Sequence, residues 1–278
     1  MTMSRLLKLT SSVVLFLALT GTGLAAQDRL VRLATTTSTE NSGLLRAILP
    51  QFEKATGYQV HVIAVGTGKA LRMGRDGDVD VVLVHAPAAE QEFVAQGWGV
   101  NRRQVMYNDF VITGSPDDPA GIKGMQDPAR ALAKIAAQQA VFVSRGDNSG
   151  THKKELALWE AAGIKPGGEW YREAGQGMGK VLQMAGELEG YALTDRGTWL
   201  AMRTQLPLQV VVEGDPRLYN PYGIIAVHPG RFPQANYQGA MQLIAWLTSN
   251  PGQRLIAQFQ VNKEQLFVPM ALKVAETQ

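Results

Sequence analysis

The feature that most limits how this chain can fold is the alternation of two hydrophobic patterns along its whole length. Short apolar runs typical of buried strands are followed by segments whose apolar residues recur at helical spacing. The expected strands span 29–34, 58–65, 79–85, 105–113, 140–143, 191–193, 208–212 and 222–227. The expected helices span 42–56, 67–74, 88–95, 128–138, 149–162, 178–188, 196–203, 240–247 and 253–259. Such alternation predicts an α/β protein with mixed, mostly parallel sheets and helices on both faces.

Residues 1–26 have the pattern of a secretory signal peptide. Arg5 and Lys8 precede an apolar core at 13–19, which is followed by small residues. The apolar run is too short for an ordinary membrane span, so we expect export to the periplasm and cleavage after Ala26. Without this segment the 27 basic residues fall to 25, against 24 acidic residues, which leaves a net charge of +1. This balance gives no support to nucleic-acid or membrane-surface binding.

The remaining chain is long enough for two modest domains. Its lack of cysteine excludes disulfide bonds and a lipid anchor on cysteine. Two strand patterns, 105–113 and 220–227, are flanked by turn formers and are suited to cross between domains. Two crossings would divide the exported chain into a first lobe, 27–112 with 220–278, and a second lobe, 113–219.

One junction between a strand and a helix carries an unusual density of hydrogen-bond donors. An apolar run ends at Val143, and a helical pattern begins near Ser149 after a turn rich in serine, glycine and asparagine. A helix N-terminus presents unpaired backbone N–H groups and the positive end of the helix dipole, so it attracts anions. The candidate binding residues at this junction are Ser144, Arg145, Ser149, Gly150 and Thr151.

Arg145 lies ahead of the helix, and this position distinguishes the junction from an ordinary capped helix with a surface arginine. A cation ahead of a helix N-terminus is unfavourable unless an anion joins it. We expect Asp147 to pair with Arg145 when no ligand is bound. We also expect Asp147 to face away from the ligand, because a carboxylate inside the pocket would repel a dianion.

The helix that follows this junction is predicted to have one apolar face. Leu156, Trp159 and Ala162 share one side of the helical wheel. Gly163 is expected to end the helix, since glycine readily adopts the left-handed conformation at that position.

Three further junctions follow strands and resemble the first. Five consecutive hydroxyl residues at 35–39 exceed what one helix cap requires. The glycines of 66–68 lack the spacing of a P-loop but allow close backbone approach to an anion. At 194–198, contact with a ligand and a purely stabilising cap are alternative interpretations. A separate glycine-rich stretch, 175–179, is interpreted as a flexible segment that leads into a helix, with a hinge or ligand role as the alternative. The candidates at these junctions are Thr36, Thr37, Ser38, Thr67, Gly68 and Thr194.

These junctions lie at the carboxyl ends of expected strands, where open α/β sheets bind their ligands. They are therefore predicted to line one cleft between the lobes. Seven motifs, in their order and spacing, resemble the periplasmic tungstate-binding proteins of ABC transporters, which have the type II periplasmic binding protein fold. The motifs are ATTTS at 34–38, VGTG at 65–68, DVVLVHA at 80–86, YNDFV at 107–111, SRGDNSGTH at 144–152, TDRGT at 194–198 and NPYG at 220–223.

The resemblance implies a two-lobed protein that holds an oxyanion without a metal or cofactor, through hydroxyls, main-chain amides and one arginine. Those roles would fall on Thr36, Thr67, Arg145 and Thr151. Asn148 stands where the family often has an acidic residue, but asparagine caps a helix equally well. The implied function is capture of tungstate, with molybdate next, and delivery to a membrane ABC permease. We expect a monomer that binds no nucleic acid.

Phosphate or another small tetrahedral oxyanion is the alternative ligand. A pocket made only of donors favours an oxyanion that carries no proton at neutral pH. Hydrogen phosphate would require a carboxylate acceptor, and the sequence does not place one in the cleft. Charge alone does not separate tungstate from sulfate.

A secreted serine hydrolase is the alternative from another functional class. Ser149 lies in a glycine-containing turn, but the turn is not a G-x-S-x-G elbow. His152 is three residues away at a helix start, where it is poorly aimed to act as a base. The four histidines of the chain are scattered and lack metal-ligand spacing. We therefore expect no catalysis, no metal and no cofactor.

Overall fold

The computed structural model describes residues 29–147 and 149–271, so the expected signal peptide and Asn148 lie outside the described residues. The strands are β1 Leu30–Thr36, β2 Gln59–Val65, β3 Val81–Val84, β4 Gly99–Gly114, β5 Phe142–Ser144, β6 Tyr171–Glu173, β7 Ala192–Asp195, β8 Gln209–Val212, β9 Tyr219–Val227, β10 Gln260–Val261, β11 Glu264–Gln265 and β12 Val268–Pro269. The helices are α1 Thr37–Asn41, α2 Leu44–Thr56, α3 Thr67–Asp76, α4 Pro87–Ala95, α5 Pro128–Ala137, α6 Gly150–Ala161, α7 Met178–Glu187, α8 Arg196–Met202, α9 Tyr237–Leu247 and α10 Asn250–Gln258. Within these described residues, no helix has the length and apolar character needed to cross a membrane.

The main sheet has the strand order β12-β4-β9-β3-β1-β2. β1 runs parallel to β2 and β3, whereas β9 runs antiparallel to β3 and β4. The mixed α/β architecture expected from the sequence is confirmed. Antiparallel pairs nevertheless outnumber parallel pairs among the described strands, which differs from the expected predominance of parallel pairing. The reason is that the long strands β4 and β9 run antiparallel to the strands on either side of them.

β4 joins the main sheet to a second sheet. Its residues from Gly99 to Asp109 pair with β9, whereas Phe110 to Gly114 pair with β7 and β8. β9 begins at Tyr219, opposite Asp109. The chain therefore passes between the sheets within β4 and again just before β9. The lobe boundaries at 112/113 and 219/220 stay a prediction, and both passages lie close to them.

Apolar side chains cover both faces of the main sheet. Val81 and Ile224 belong to the buried cluster on one face, and Val82 and Ile225 belong to the cluster on the other. This alternation is expected for strands covered by helices on both sides. A separate apolar cluster, which includes the fully buried Trp159, packs against the second sheet. The packed layers thus hold the strand ends in place at the edge where the functional site forms.

Candidate functional site

A cavity of about 810 Å³ lies at the carboxyl ends of strands from both sheets. Its wall includes residues that follow β1, β2 and β3 of the main sheet. It also includes residues that follow β5 and β7, which belong to the second part of the chain, the segment between the passages in β4 and before β9. Thr36 and Thr151, which are far apart in sequence, share this wall. The topology therefore brings the donor-rich junctions of the sequence to one place.

The first turns of several helices open onto this cavity. α3, α6 and α7 have 10, 12 and 10 residues, and the first residues of each line the wall. The short helices α1 and α8 also begin there. Each N-terminus carries N–H groups without an intrahelical partner and a partial positive charge. The wall therefore favours a small anion.

The hydroxyl run after β1 divides into structural and cavity-facing members. Thr35 is buried and donates to the carbonyl of Leu83 at 2.7 Å, which ties β1 to β3. Thr36 caps α1, because its hydroxyl accepts from the backbone N–H of Thr39 at 3.2 Å. The Oγ1 of Thr36 also lies 3.1 Å from the hydroxyl of Ser38. Thr36, Thr37 and Ser38 line the cavity.

The junction after β2 offers backbone rather than side-chain donors. Gly66 is the N-cap of α3 and makes no side-chain cap hydrogen bond. The N–H groups of Thr67 and Gly68 start the helix at the cavity wall, where a helix provides no partner for them. A Cβ added at Gly66 would meet nothing within 4 Å, so this backbone is open to the cavity.

Arg145 and Asp147 form an ion pair in the turn before α6. Arg145 lines the cavity, whereas Asp147 does not, as expected from the sequence. Asp147 also accepts from the backbone N–H of Ser149 at 3.1 Å. Partial burial opposes ionisation, but the hydrogen bonds from Ser149 and the pairing with Arg145 hold the pKa of Asp147 below its usual value. The Nε of Arg145 is buried without a hydrogen-bond partner among the described residues.

The residues around this turn have different roles. Ser149 caps α6 by accepting from the backbone N–H of His152 at 3.3 Å, and its side chain also lines the cavity. Gly150 and Thr151 follow it on the wall. Ser144 lies outside the wall, fully buried, and donates to Oε2 of Glu155 at 2.9 Å. Its hydroxyl therefore stabilises the turn from the side away from the cavity.

At the junction after β7, the capping residue Asp195 lines the cavity, whereas the predicted ligand Thr194 does not. Thr194 is fully buried, does not line the cavity and donates to the carbonyl of Asp195 at 3.2 Å. Asp195 caps α8 by accepting from the N–H and the hydroxyl of Thr198 at 2.8 and 2.7 Å. Asp195 and Thr198 both line the cavity. A carboxylate is thus present in the wall, contrary to the expectation from the sequence.

Nine of the eleven predicted ligand-binding residues line the cavity, and Ser144 and Thr194 do not. The nine are Thr36, Thr37, Ser38, Thr67, Gly68, Arg145, Ser149, Gly150 and Thr151. The stretch 175–179 also reaches the wall through Gly177, Met178 and Gly179, at the start of α7.

A polar network at the base of the cavity was not predicted as part of the site. The Nδ1 of His85 lies 3.0 Å from Oδ1 of Asn220, and Nδ2 of Asn220 donates to Oδ1 of Asn108 at 2.8 Å. The Nε2 of His85 lies 3.4 Å from the hydroxyl of Ser38. Burial lowers the pKa of His85 despite its hydrogen bond to Asn220. The motifs DVVLVHA, YNDFV and NPYG contain His85, Asn108 and Asn220. The sequence does not show that these residues contact one another, because they are far apart along the chain.

The charge of the wall is suited to a small anion. Arg145 and Lys153 are its basic residues, and Asp195 is its acidic residue among those described. In residues 29–147 and 149–271, no group of three or more His, Cys, Asp or Glu side chains is arranged to hold a metal ion. The wall can therefore hold an oxyanion through hydroxyls, amides and a guanidinium.

Comparison with known proteins gives consistent matches over most of the chain. The sequence profile of a family described as PBP superfamily domain matches residues 24–251. The tungstate-binding protein TupA of Peptoclostridium acidaminophilum is 47% identical over 287 residues, which cover 98% of this chain and 100% of that protein. The solved structure of the tungstate-binding protein TupA from Desulfovibrio alaskensis G20 is 48% identical, with a TM-score of 0.82, and covers 87% of this chain and 98% of that one. The structure described as the tungstate ABC transporter from Geobacter sulfurreducens is 53% identical, with a TM-score of 0.74, and covers 83% and 98%.

Proposed function

Since the chain belongs to the PBP superfamily, and within it to the periplasmic tungstate-binding proteins of ABC transporters, we propose that it captures tungstate and delivers it to a membrane permease. It is a binding protein of a transport system and not an enzyme. Its place of action is the periplasm, and the expected signal peptide would direct it there. We expect the protein to act as a monomer.

The observation that carries this proposal is the shared cavity wall. Thr36 and Thr67 from the main sheet lie on the same wall as Arg145 and Thr151 from the second part of the chain. Tungstate is a tetrahedral dianion whose oxygens accept hydrogen bonds in several directions. Hydroxyls, first-turn amides and one guanidinium can surround such an ion and replace its hydration shell.

The volume of the cavity indicates a clamp that closes on its ligand. A water molecule in the liquid occupies about 30 Å³, so an ion with four oxygens fills only a small part of the 810 Å³ cavity. Approach of the two parts of the chain would bring donors from both of them into contact with one ion. Bending of β4 and of the segment just before β9, where the chain passes between the sheets, would allow this movement. Closure would exclude water and strengthen the electrostatic interactions inside.

The donor character of the wall supports tungstate over hydrogen phosphate. Tungstate carries no proton at neutral pH and needs only donors. The carboxylate of Asp195 is the acidic group of the wall within the described residues, and both of its oxygens already accept from Thr198. A protonated phosphate would therefore meet an acceptor that is already engaged. Molybdate has the same charge and shape as tungstate and is the expected competitor.

Isothermal titration calorimetry with a panel of anions tests this proposal. Tungstate should bind with one ion per chain, molybdate should displace it, and phosphate should give no heat of binding at the same concentration. The panel should include sulfate and chromate, which test whether the size of the tetrahedron matters. If phosphate binds and tungstate does not, the ligand proposed here is wrong.

A further inference from the structure

A buried carboxyl group lies directly behind the turn that carries Arg145. Glu155, in the second turn of α6, is only 1% exposed and does not line the cavity. Its Oε1 accepts from the hydroxyl of Tyr171 at 2.8 Å and from Nε1 of Trp159 at 3.2 Å. Its Oε2 accepts from the hydroxyl of Ser144 at 2.9 Å. The group is therefore held in one position by donors from three different elements.

The same hydrogen bonds connect Glu155 to the cavity wall. The hydroxyl of Ser144 also accepts from the backbone N–H of Gly146, at 3.3 Å, inside the turn. Glu155 is five residues beyond Gly150, the first residue of α6, which corresponds to about 7.5 Å of helix rise. An ion at the N-terminus of α6 would thus lie within electrostatic range of the carboxyl group, with protein between them.

The protonation of this carboxyl group is finely balanced. Burial raises the pKa of Glu155 to about 7, although the hydrogen bonds from Tyr171, Ser144 and Trp159 favour the ionised form. An ionised Glu155 would repel a dianion in the cavity across a medium that screens charge poorly. A neutral Glu155 would not. Ser144 can accommodate the change, because a hydroxyl can either donate to Oε2 or accept from a proton on it.

We infer that Glu155 determines the pH dependence of oxyanion affinity, and that binding of the dianion shifts its carboxyl group toward the protonated form, with uptake of protons from solvent. This inference rests on the function proposed above. It makes Glu155 a residue that acts on the ligand through charge and through Ser144, without touching it. In physiological terms, affinity would be highest below neutral pH and would fall as the surroundings become alkaline.

Other titratable groups pack around α6 and have to be distinguished from Glu155. Asp147 and Arg145 form their ion pair in the preceding turn, and the pKa of Asp147 is held low. The helix itself carries His152, Lys153, Lys154 and Glu160, and burial lowers the pKa of Lys154. The charged residues on the elements packed against the helix are Glu173 and Arg172 beside Tyr171 on β6, Arg130 and Lys134 on α5, and Asp195 on β7.

The substitution Glu155→Gln isolates the contribution of the carboxyl group. Glutamine keeps the shape and an acceptor for Tyr171 and Trp159, but it does not titrate in this range. Tungstate affinity of both proteins should be measured by calorimetry from pH 6.5 to pH 9, in buffers with different ionisation enthalpies. The natural protein should lose about tenfold in affinity over this range, as expected for a shift of about one pKa unit on binding. The variant should show a flat profile and bind more tightly than the natural protein at pH 9.

The buffer comparison measures the proton directly. For the natural protein, the apparent enthalpy near pH 7.5 should depend on the buffer with the sign of proton uptake, and this dependence should disappear in Glu155→Gln. If both proteins show the same pH profile and the same buffer dependence, the inference is wrong. If neither protein binds tungstate at any pH, the proposed function fails instead. The two failures are therefore distinguishable.

Tyr171→Phe provides a second variant if Glu155→Gln does not fold. Loss of one donor to Oε1 destabilises the ionised carboxylate further, so the midpoint of the affinity change should move to higher pH. An unchanged midpoint would contradict a role for Glu155.

Discussion

At the scale of single residues, the site depends on how one guanidinium is held. Arg145 is paired with Asp147, and its Nε is buried without a hydrogen-bond partner among the described residues. Asp147 lies behind the arginine rather than on the cavity wall. The carboxylate therefore fixes the direction of the guanidinium while leaving its outer face for an anion. This arrangement explains why a cation can precede the N-terminus of α6.

Arg145→Ala should weaken tungstate binding by at least 100-fold. Truncating one member of a buried charged contact typically costs about 2–5 kcal/mol. Calorimetry with tungstate measures the loss, and Arg130→Ala is the matched control, because Arg130 is an exposed residue of α5 away from the cavity. The melting temperature of the empty protein should change little. A variant that unfolds without ligand would show that Arg145 is structural.

Glu155 should also make the stability of the protein depend on pH. Its pKa of about 7 in the folded protein lies above that of an unfolded glutamate. The stability that the neutral form contributes is fully present below about pH 4.5 and is lost as the pH rises through about 7. The melting temperature of Glu155→Gln relative to the natural protein should therefore increase from pH 5 to pH 8, by an amount that corresponds to about 3 kcal/mol. A difference that stays constant with pH would argue against a buried titrating carboxyl group.

At the scale of elements, the sequence predicted the strand–helix junctions well because each has a local signal. Hydroxyl and glycine caps mark the starts of α3 and α6, and left-handed glycines follow several helices, as at Gly57 with a φ of 73°. The short helix α1 was not predicted, because the helical pattern was expected to begin at residue 42. The short strands β6, β10, β11 and β12 have no such signal and were not predicted. They form where other elements place their backbones side by side, which a local pattern does not encode.

The buried face of α6 shows a second limit of sequence patterns. Leu156 was expected on the buried face with Trp159, but it is 42% exposed. Glu155 takes the buried position instead, because three polar partners satisfy its carboxyl group. Hydrophobic periodicity does not predict a buried acid. The positions of Ser144 and Thr194 were missed for a related reason, since both hydroxyls bond inward to protein groups.

Gly150→Val should weaken tungstate binding at least tenfold while leaving the fold intact. A Cβ at this position would lie 3.7 Å from Cε1 of His85, an ordinary contact, so the substitution causes no clash in the open cavity. The branched side chain would nevertheless stand at the N-terminus of α6, between the ligand and its donors. Gly167→Val is the control, because a Cβ there meets nothing within 4 Å and the residue is exposed outside the cavity. Equal affinities of the two variants would show that the N-terminus of α6 does not contact the ion.

At the scale of the whole molecule, two sheets joined by β4 and by the segment just before β9 line a cavity larger than the ion it is proposed to hold. The network of His85, Asn220 and Asn108 links the end of β3 and the start of β9 to the interior of β4 at its base. The rest of the wall is divided between the two parts of the chain. This geometry suits a movement of one part against the other, with the ion as the bridge between them.

Saturating tungstate should therefore make the protein more compact. Small-angle X-ray scattering should show a decrease in the radius of gyration, and Arg145→Ala at the same tungstate concentration should show none. The melting temperature should rise in parallel, since a ligand at a thousandfold excess over its Kd stabilises the folded protein by about 4 kcal/mol. An unchanged radius of gyration on saturation would indicate a site that is already closed.

The most direct measurement is a crystal structure of the tungstate complex, with the tungsten located by its anomalous scattering. A single tungsten atom should lie in the cavity, within hydrogen-bond reach through its oxygens of Thr36 and Thr67 on one side and of Arg145 and Thr151 on the other. A tungsten atom outside this cavity, or one held by only one of the two sides, would contradict the clamp.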